Sequence, residues 1–287
     1  MKLDYECRGC LYNSQMKKVE REQSDAAKLE KFKKGVKALC DNPPERYCAP
    51  LLMRDINDLH RDIFGAGIDY SREKSEFNLK LLSMEEELYA RVINSPDPVG
   101  EGLKFAMAAN YIDFARLSDL NGDSVNTVLS AAEHARADEG ELEKLKSGLK
   151  SAKTLCYLHD NCGEIVLDKI LIRAIKALYP AISVTSVVRG FPIINDVTLD
   201  DAREVGLTDI CKVVGNNSGI PGTYLDEISD EVKNLLSASD VVISKGLGNL
   251  ETLYGEEYKI FYAFNCKCAH ISKQFGYPLW SAVLVSG

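Results

Sequence analysis

The spacing of apolar and polar positions changes once along this chain, near Lys153. Upstream, apolar residues recur every three or four positions among many Lys and Glu, which is the pattern of amphipathic helices. It predicts helices over 23–39, 50–64, 72–94, 98–117, 124–137 and 138–151. Asp41-Asn42-Pro43-Pro44 breaks the first, because proline cannot continue a helix, and Ser95-Pro96-Asp97-Pro98 supplies a cap and a proline for a new start. Downstream, short apolar runs rich in β-branched residues at 154–158, 182–188, 210–214, 240–244, 259–264 and 282–285 alternate with helical stretches at 163–179, 199–205 and 226–238. Strands apolar on both faces and separated by helices imply a mainly parallel sheet covered on both sides. The chain therefore reads as α/β, with a helical domain over 1–150 and a sheet domain over 151–287. No internal repeat or low-complexity tract interrupts it.

Composition narrows the function classes. Of 287 residues, 45% are hydrophobic and 27% charged, so a packed core is expected rather than disorder. A net charge of −8 removes the basic footprint that nucleic-acid binding requires. Phosphorylated small molecules stay open, because one lysine, a helix N-terminus or a metal overrides the global sign locally. No apolar run approaches the roughly 20 residues that span a bilayer, and Met1-Lys2-Leu3-Asp4 does not begin a signal peptide. The expectation is a cytoplasmic protein without membrane or nucleic-acid partners. Nine cysteines, an odd number, argue against a disulfide framework. Cys156 and Cys211 sit in apolar runs as small hydrophobes. Cys7-x-x-Cys10 and Cys266-x-Cys268 are close pairs; if the chain ends meet, four thiolates can hold a zinc or iron ion, and otherwise they are separate reduced cysteines.

In open α/β sheets ligands bind outside the carboxyl ends of the strands, so the residues after each strand carry the candidate chemistry. The first strand delivers Asp160 and Asn161, the second leads through Arg189-Gly190 to Asp196, the third to Gly215-Asn216, and the fourth to Lys245-Gly246-Leu247-Gly248. Asp160, Asn161 and Asp196 offer hard oxygen donors suited to Mg²⁺ or Mn²⁺ and tolerant of Co²⁺ or Ni²⁺; the same residue types also cap helices. Lys245 can pair with a phosphate while the amides of Gly246 and Gly248 bind its oxygens, or it can be a solvated strand end. Glu164 and Asp168 share one helix face; an acid there can activate water, or simply complement the helix dipole. In the helical half, Asn110 and Asp113 project from an apolar segment and must face a cleft or a polar contact. His159, beside the site, reads as strand-end packing. Neither a P-loop nor a dinucleotide fingerprint occurs.

These strings resemble the motifs of the damage-control phosphatase family. Asp160-Asn161-Cys162-Gly163-Glu164 is similar to its Asp-Asn-x-Gly-Glu motif, Asn195-Asp196-Val197-Thr198 to its second acidic motif, Ser244-Lys245-Gly246-Leu247-Gly248-Asn249 to its lysine-glycine motif, and Asn110-Tyr111-Ile112-Asp113 to its Asn-x-x-Asp signature. The Cys7/Cys10 pair suits its small stand-alone archaeal and bacterial branch. The resemblance implies a helical domain on a Rossmann-like three-layer α/β/α domain. It also implies a metal-dependent phosphatase acting on small, often damaged or side-product, phosphometabolites. A divalent Mn, Ni, Co or Mg ion would be held by Asp160, Asn161 and Asp196, with Lys245 on the phosphate. Glu164 or Asp168 would then orient or deprotonate water, unless Asp160 or Asp196 forms a covalent aspartyl-phosphate. The Arg-Thr-x-Lys string of the sugar-phosphate branch is absent, which leaves the substrate open. Two rivals remain: an S-adenosylmethionine-dependent methyltransferase, for which Asp160-Asn161-Cys162-Gly163 is a poor glycine turn, and a non-catalytic zinc or iron protein built on the cysteines.

Overall fold

The computed structural model describes residues 1–67, 69–108 and 124–287. The amino-terminal part is helical: α1 (Tyr5–Glu22), α2 (Ala26–Asp41), α3 (Ala49–Phe64), α4 (Ser71–Leu82), α5 (Glu85–Ile93), α6 (Pro98–Ala108), α7 (Ser124–His134) and α8 (Glu139–Ser151). The helix α1 has no counterpart in the sequence expectation. It begins at Asp4, whose side chain accepts the Cys7 N–H, and its sparse apolar positions, Cys7, Met16 and Val19, are buried only against α2 and α3. The stretch expected as one helix over 72–94 is two. The break at Ser83-Met84 lets Glu85, at the start of α5, reach buried partners: Lys169 at 2.6 Å and Arg173 at 2.8 Å.

The carboxy-terminal part alternates β1 (Thr154–Leu158), α9 (Glu164–Leu178), β2 (Ser183–Val188), α10 (Leu199–Glu204), β3 (Lys212–Gly215), α11 (Asp230–Ala238), β4 (Val241–Lys245), α12 (Gly246–Leu253), β5 (Ile260–Asn265), α13 (Ala269–Phe275) and β6 (Ala282–Ser286). These strands form one sheet in the order β3-β2-β1-β4-β5-β6, parallel throughout except for β6, which pairs antiparallel with β5. The expected mixed α/β class with a mainly parallel sheet is the observed one.

Alternation along the strands decides what faces the site. Leu155, Tyr157, Val241 and Ile243 pack into a core shared with α5, α6 and α9, whereas Cys156, Leu158 and Val242 pack under α11 and α12 on the opposite face. The first core runs without a break from Phe77 in α4 to Leu284 in β6: α4 and α5 pack on α9, and α6 packs on α9 and reaches β5 and β6. By the same two-residue period, His159 and Lys245 point to the α9 side. Helices α1–α3 bury a small core of their own. They fasten to the sheet part through Cys48 and Leu51 against Ile220 and through an Arg54–Glu227 ion pair at 2.5 Å. No described helix is long and apolar enough to cross a membrane.

Candidate active site

The strand order reverses between β1 and β4, which opens a crevice at their carboxyl ends. The loop after β2 is stitched to the end of β1. Val197 N–H donates to Asp160 O and Cys162 N–H to Asn195 O, both at 2.9 Å, and Asn161 and Asp196 form an isolated antiparallel bridge. This brings Asp160, Asn161 and Asp196 to one place. None of the three is spent on a helix cap: α9 starts at Gly163 without a side-chain cap, and α10 is capped by Thr198 in a box with Asp201.

Arg189, the first residue after β2, lies between the two carboxylates with only 1% of its surface exposed. Its Nε donates to Asp196 Oδ2 at 2.7 Å and its Nη1 to Asn249 Oδ1 at 3.2 Å. Its Nη2 sits 3.7 Å from Asp160 Oδ1 and has no hydrogen-bond partner. Burial, with Glu164 and Asp196 nearby, pushes the Asp160 carboxyl well above the usual carboxylate range against the opposing charges of Arg189 and Lys245. Burial also raises Asp196, with Arg189 opposing. The Asn161 amide nitrogen donates to Asp160 Oδ2 at 2.8 Å and to Glu164 Oε1 at 3.0 Å. Two carboxylates and an amide oxygen form an all-oxygen set. Its crowded negative charge is costly when ionised and is relieved by a hard dication, so these residues fit a cation of the magnesium–manganese class.

Beneath this group lies a buried ionic network. Lys245 is fully buried; its Nζ donates at 2.7 Å to both Asp168 Oδ1 and Ala106 O, and Glu164 Oε2 lies 3.5 Å away. Asp168 also accepts from the Tyr157 hydroxyl at 2.8 Å, and its second oxygen lies 3.0 Å from His159 Nδ1. His159 Nε2 in turn meets Ser186 Oγ at 3.0 Å. Burial alone would raise Asp168, yet Lys245 and His159 hold its carboxyl below the usual range. The Lys245 ammonium is likewise penalised by burial and raised on balance by Asp168 and Glu164. An ammonium has three N–H bonds. Two are taken at short distance, and the third points at the long contact to Glu164.

Helix α12 opens directly from Lys245 with no side-chain cap, so the amides of its first turn, Gly246 and Gly248 included, lack intrahelical partners. Gly246 has φ +80°, and a Cβ there would come within 2.0 Å of Asp160 Oδ2. Gly246→Ala is expected to cost about 1–2 kcal/mol in backbone strain and to displace the Asp160 carboxylate. Unfolding curves would show a lowered midpoint, and cation affinity measured by calorimetry should fall with it.

Two groups at the site escaped the sequence reading. Arg189 was visible only as the residue following an apolar strand. Asn249, one turn into α12, donates to His159 O at 3.0 Å and to Lys245 O at 2.8 Å while accepting from Arg189 and the Thr223 hydroxyl, which ties β1, β4 and α12 together. His159, expected as packing, is a hydrogen-bonded part of the buried network. Asn110 and Asp113 lie outside the described residues; α6 ends beside the site, where Met107 O accepts from Asn265 at 3.2 Å. A cavity of about 520 Å³ lined by Lys17, Lys18, Arg21 and Tyr70 reaches Asn195, the neighbour of Asp196.

The cysteine expectation needs correction in its ligand set. Cys10 is exposed, and Cys266 is buried with its sulfur facing Cys268 O and Tyr277 O, so the four thiols do not converge. Cys7 and Cys268 do lie side by side, and the Cys7 thiol holds that of Cys268 below its usual range.

The chain belongs to the damage-control phosphatase ARMT1-like domain family, whose pattern it matches over residues 3–283. An uncharacterized protein of Methanocaldococcus jannaschii is 32% identical over 185 residues, covering 62% of this chain and 60% of that one. A damage-control phosphatase of Archaeoglobus fulgidus is 28% identical over 247 residues, covering 84% and 83%. The match thus spans about 60% of the length of the first relative and most of the second. The crystal structure of a DUF89 family protein from Pyrococcus horikoshii superposes with a TM-score of 0.86 at 24% identity, over 100% of this chain and 99% of that one, and so shares the fold.

Proposed function

We propose that this chain is a divalent-metal-dependent phosphatase that hydrolyses phosphate monoesters of small metabolites in the cytoplasm, damaged or side-product compounds among them. The observation that supports it best is the pair of carboxylates, Asp160 partly buried and Asp196 buried, held around Arg189 at the switch point beside the N-terminus of α12. Family membership supports the same reaction class.

In this reading Asp160, Asn161 and Asp196 hold the cation, with Mn, Ni, Co and Mg as the candidates. When bound, such an ion supplies charge that polarises a phosphoryl oxygen and acidifies a coordinated water. The remaining work falls to the chain. The first-turn amides of α12 bind non-bridging phosphate oxygens, as free helix N-termini do. The third N–H of Lys245 and the unpartnered Nη2 of Arg189 add positive charge where negative charge grows in the transition state. Glu164, at the rim of the buried network, is the acid placed to take a proton from the attacking water. Asp168, with both oxygens engaged by Tyr157, Lys245 and His159, acts as the counter-ion that keeps Lys245 charged. The basic cavity that reaches Asn195 suits an anionic substrate in a chain of net charge −8.

The test is phosphate release from a panel of sugar phosphates, phosphopantetheine compounds and nucleotides, with each dication added to chelator-treated protein. Release that depends on one of the four cations and is confined to monoesters is expected. Absence of release across the whole panel with every cation would reject the assignment.

A further inference from the structure

A second group of metal-ligating side chains lies away from the strand ends, where the amino terminus meets the loop after β5. Asp4 caps α1, with Oδ1 accepting the Cys7 N–H at 2.7 Å, and its Oδ2 lies 2.5 Å from His270 Nδ1. Cys7, in the first turn of α1, is buried, and its thiol lies beside that of Cys268, the residue that precedes α13. The neighbouring Cys7 thiol, with the backbone amides of Ile271 and His270, holds the Cys268 thiol below its usual range. The ligand atoms of Asp4, Cys7 and His270 all fall within 4.8 Å of one another.

We propose that Asp4, Cys7, Cys268 and His270 form a tetrahedral site for a zinc-class dication that clamps α1 to the loop between β5 and α13. Its chemistry differs from that of the catalytic site. Two thiolates, an imidazole and one carboxylate make up a borderline-soft set of the kind zinc takes in closed, structural sites, whereas Asp160, Asn161 and Asp196 offer oxygen alone. A bound dication would displace the thiol protons of Cys7 and Cys268 to solvent and take the lone pair of neutral His270 Nδ1, the ring proton then sitting on Nε2, so that two metal–sulfur bonds, a metal–nitrogen bond and a metal–oxygen bond form. The outer shell is built as well, since Asp4 Oδ1 stays on the Cys7 amide. A disulfide between Cys7 and Cys268 would leave His270 and Asp4 without a reason to converge on the same point. The ion would join α1 to the loop after β5, beside the Met1 amino group on Glu251 O.

The test uses the full-length protein, reduced and chelator-treated, titrated with Co²⁺ and read by absorbance. One thiolate-bound cobalt per chain, in addition to any held by the oxygen ligands at the strand ends, is expected to give a thiolate-to-cobalt charge-transfer band in the near ultraviolet and the intense visible bands of a tetrahedral ion. Zn²⁺ should bleach both. Cys7→Ser and Cys268→Ser should each abolish the charge-transfer band or shift it strongly, whereas Cys10→Ser and Cys266→Ser should retain it. Asp160→Asn should also retain it, because oxygen ligands give no such band; failure of the phosphatase reading and failure of this one are therefore distinguishable. Zn²⁺ should raise the unfolding temperature of the unaltered protein and not that of His270→Ala. The proposal is overturned if cobalt gives no thiolate band with the unaltered protein, or if Cys10→Ser removes the band as fully as Cys7→Ser. It is equally overturned if the purified chain is lighter by two hydrogens through a Cys7–Cys268 bond that excludes the metal.

Discussion

Lys245→Met is expected to lower folding stability by about 3–5 kcal/mol and to remove turnover, the first effect following from charge left unpaired in the core. The ammonium is fully buried, and its partners Asp168 and Ala106 O are held by separate helices, α9 and α6, so no neighbour can take its place. The pH dependence follows from Asp168. In the unaltered protein its carboxyl is held below the usual value, so its contribution to stability is present above about pH 4 and is lost as pH falls through the lowered pKa. Without Lys245 the balance reverses. Burial pushes Asp168 up, the folded chain holds the proton more tightly than the unfolded one, and stability now falls as pH rises towards neutrality. Denaturant curves should therefore show a gap between Lys245→Met and the parent that is small near pH 4 and widens towards about pH 7. Adding Asp168→Asn should close most of the gap, since the amide carbonyl still accepts from the Tyr157 hydroxyl and the charge that Lys245 neutralised at that position is gone. Turnover should stay lost in the double variant. If activity returned along with stability, Lys245 would act only on the fold and its place on the phosphate would be wrong.

How much of this was legible beforehand depended on whether a feature is local. The strands were, because five or six consecutive apolar residues between polar ends have few other uses in a chain of this composition; β1 and the start of β6 fall where the pattern put them. Asp160, Asn161, Asp196 and Lys245 were legible because the strand-end rule converts position along a strand into position in space. Features carried by tertiary contacts were not. Nothing in Tyr5–Glu22 announces a helix, since its few apolar positions matter only once α2 and α3 are in place. The break between α4 and α5 contains neither glycine nor proline; its reason, Glu85 beside Lys169 and Arg173, is an ion pair across the fold. Arg189 is the most instructive case. A strand-end arginine is ordinary in sequence, and its importance appears only when Asp160 and Asp196 arrive on either side of it. The cysteines show the same limit: spacing paired Cys7 with Cys10 and Cys266 with Cys268, whereas the fold pairs Cys7 with Cys268 and adds Asp4 and His270.

Asp160→Asn and Asp196→Asn should both reduce turnover by about 10³ or more, equivalent to about 4 kcal/mol of transition-state stabilisation, and both should weaken cation binding. Their effects on stability should differ in size. Asp160 is crowded by Glu164 and Asp196 in a buried setting, and its nearest cationic nitrogen, Arg189 Nη2, is 3.7 Å away. Its carboxyl is raised well above the unfolded value, so the folded state is penalised increasingly as pH rises through the range between the two. An isosteric amide removes that penalty, so the midpoint of Asp160→Asn should match or exceed the parent's, with the advantage growing with pH. Asp196 differs because it accepts Arg189 Nε directly at 2.7 Å. An amide there keeps the hydrogen bond but leaves a buried guanidinium with less compensating charge, which should offset the relief of a carboxyl that burial also raises, so the midpoint of Asp196→Asn should fall below that of Asp160→Asn. Thermal unfolding, calorimetric titration with Mn²⁺ and phosphate release, measured together on both variants, separate the two roles. Asp160→Asn would then be a more stable and inactive protein, the outcome expected where a fold carries a strained carboxylate for the sake of the ion it binds. An Asp160→Asn variant that binds Mn²⁺ as the parent does, or that turns over at a comparable rate, would remove Asp160 from the cation site and with it the reason for the crowding of acids around Arg189.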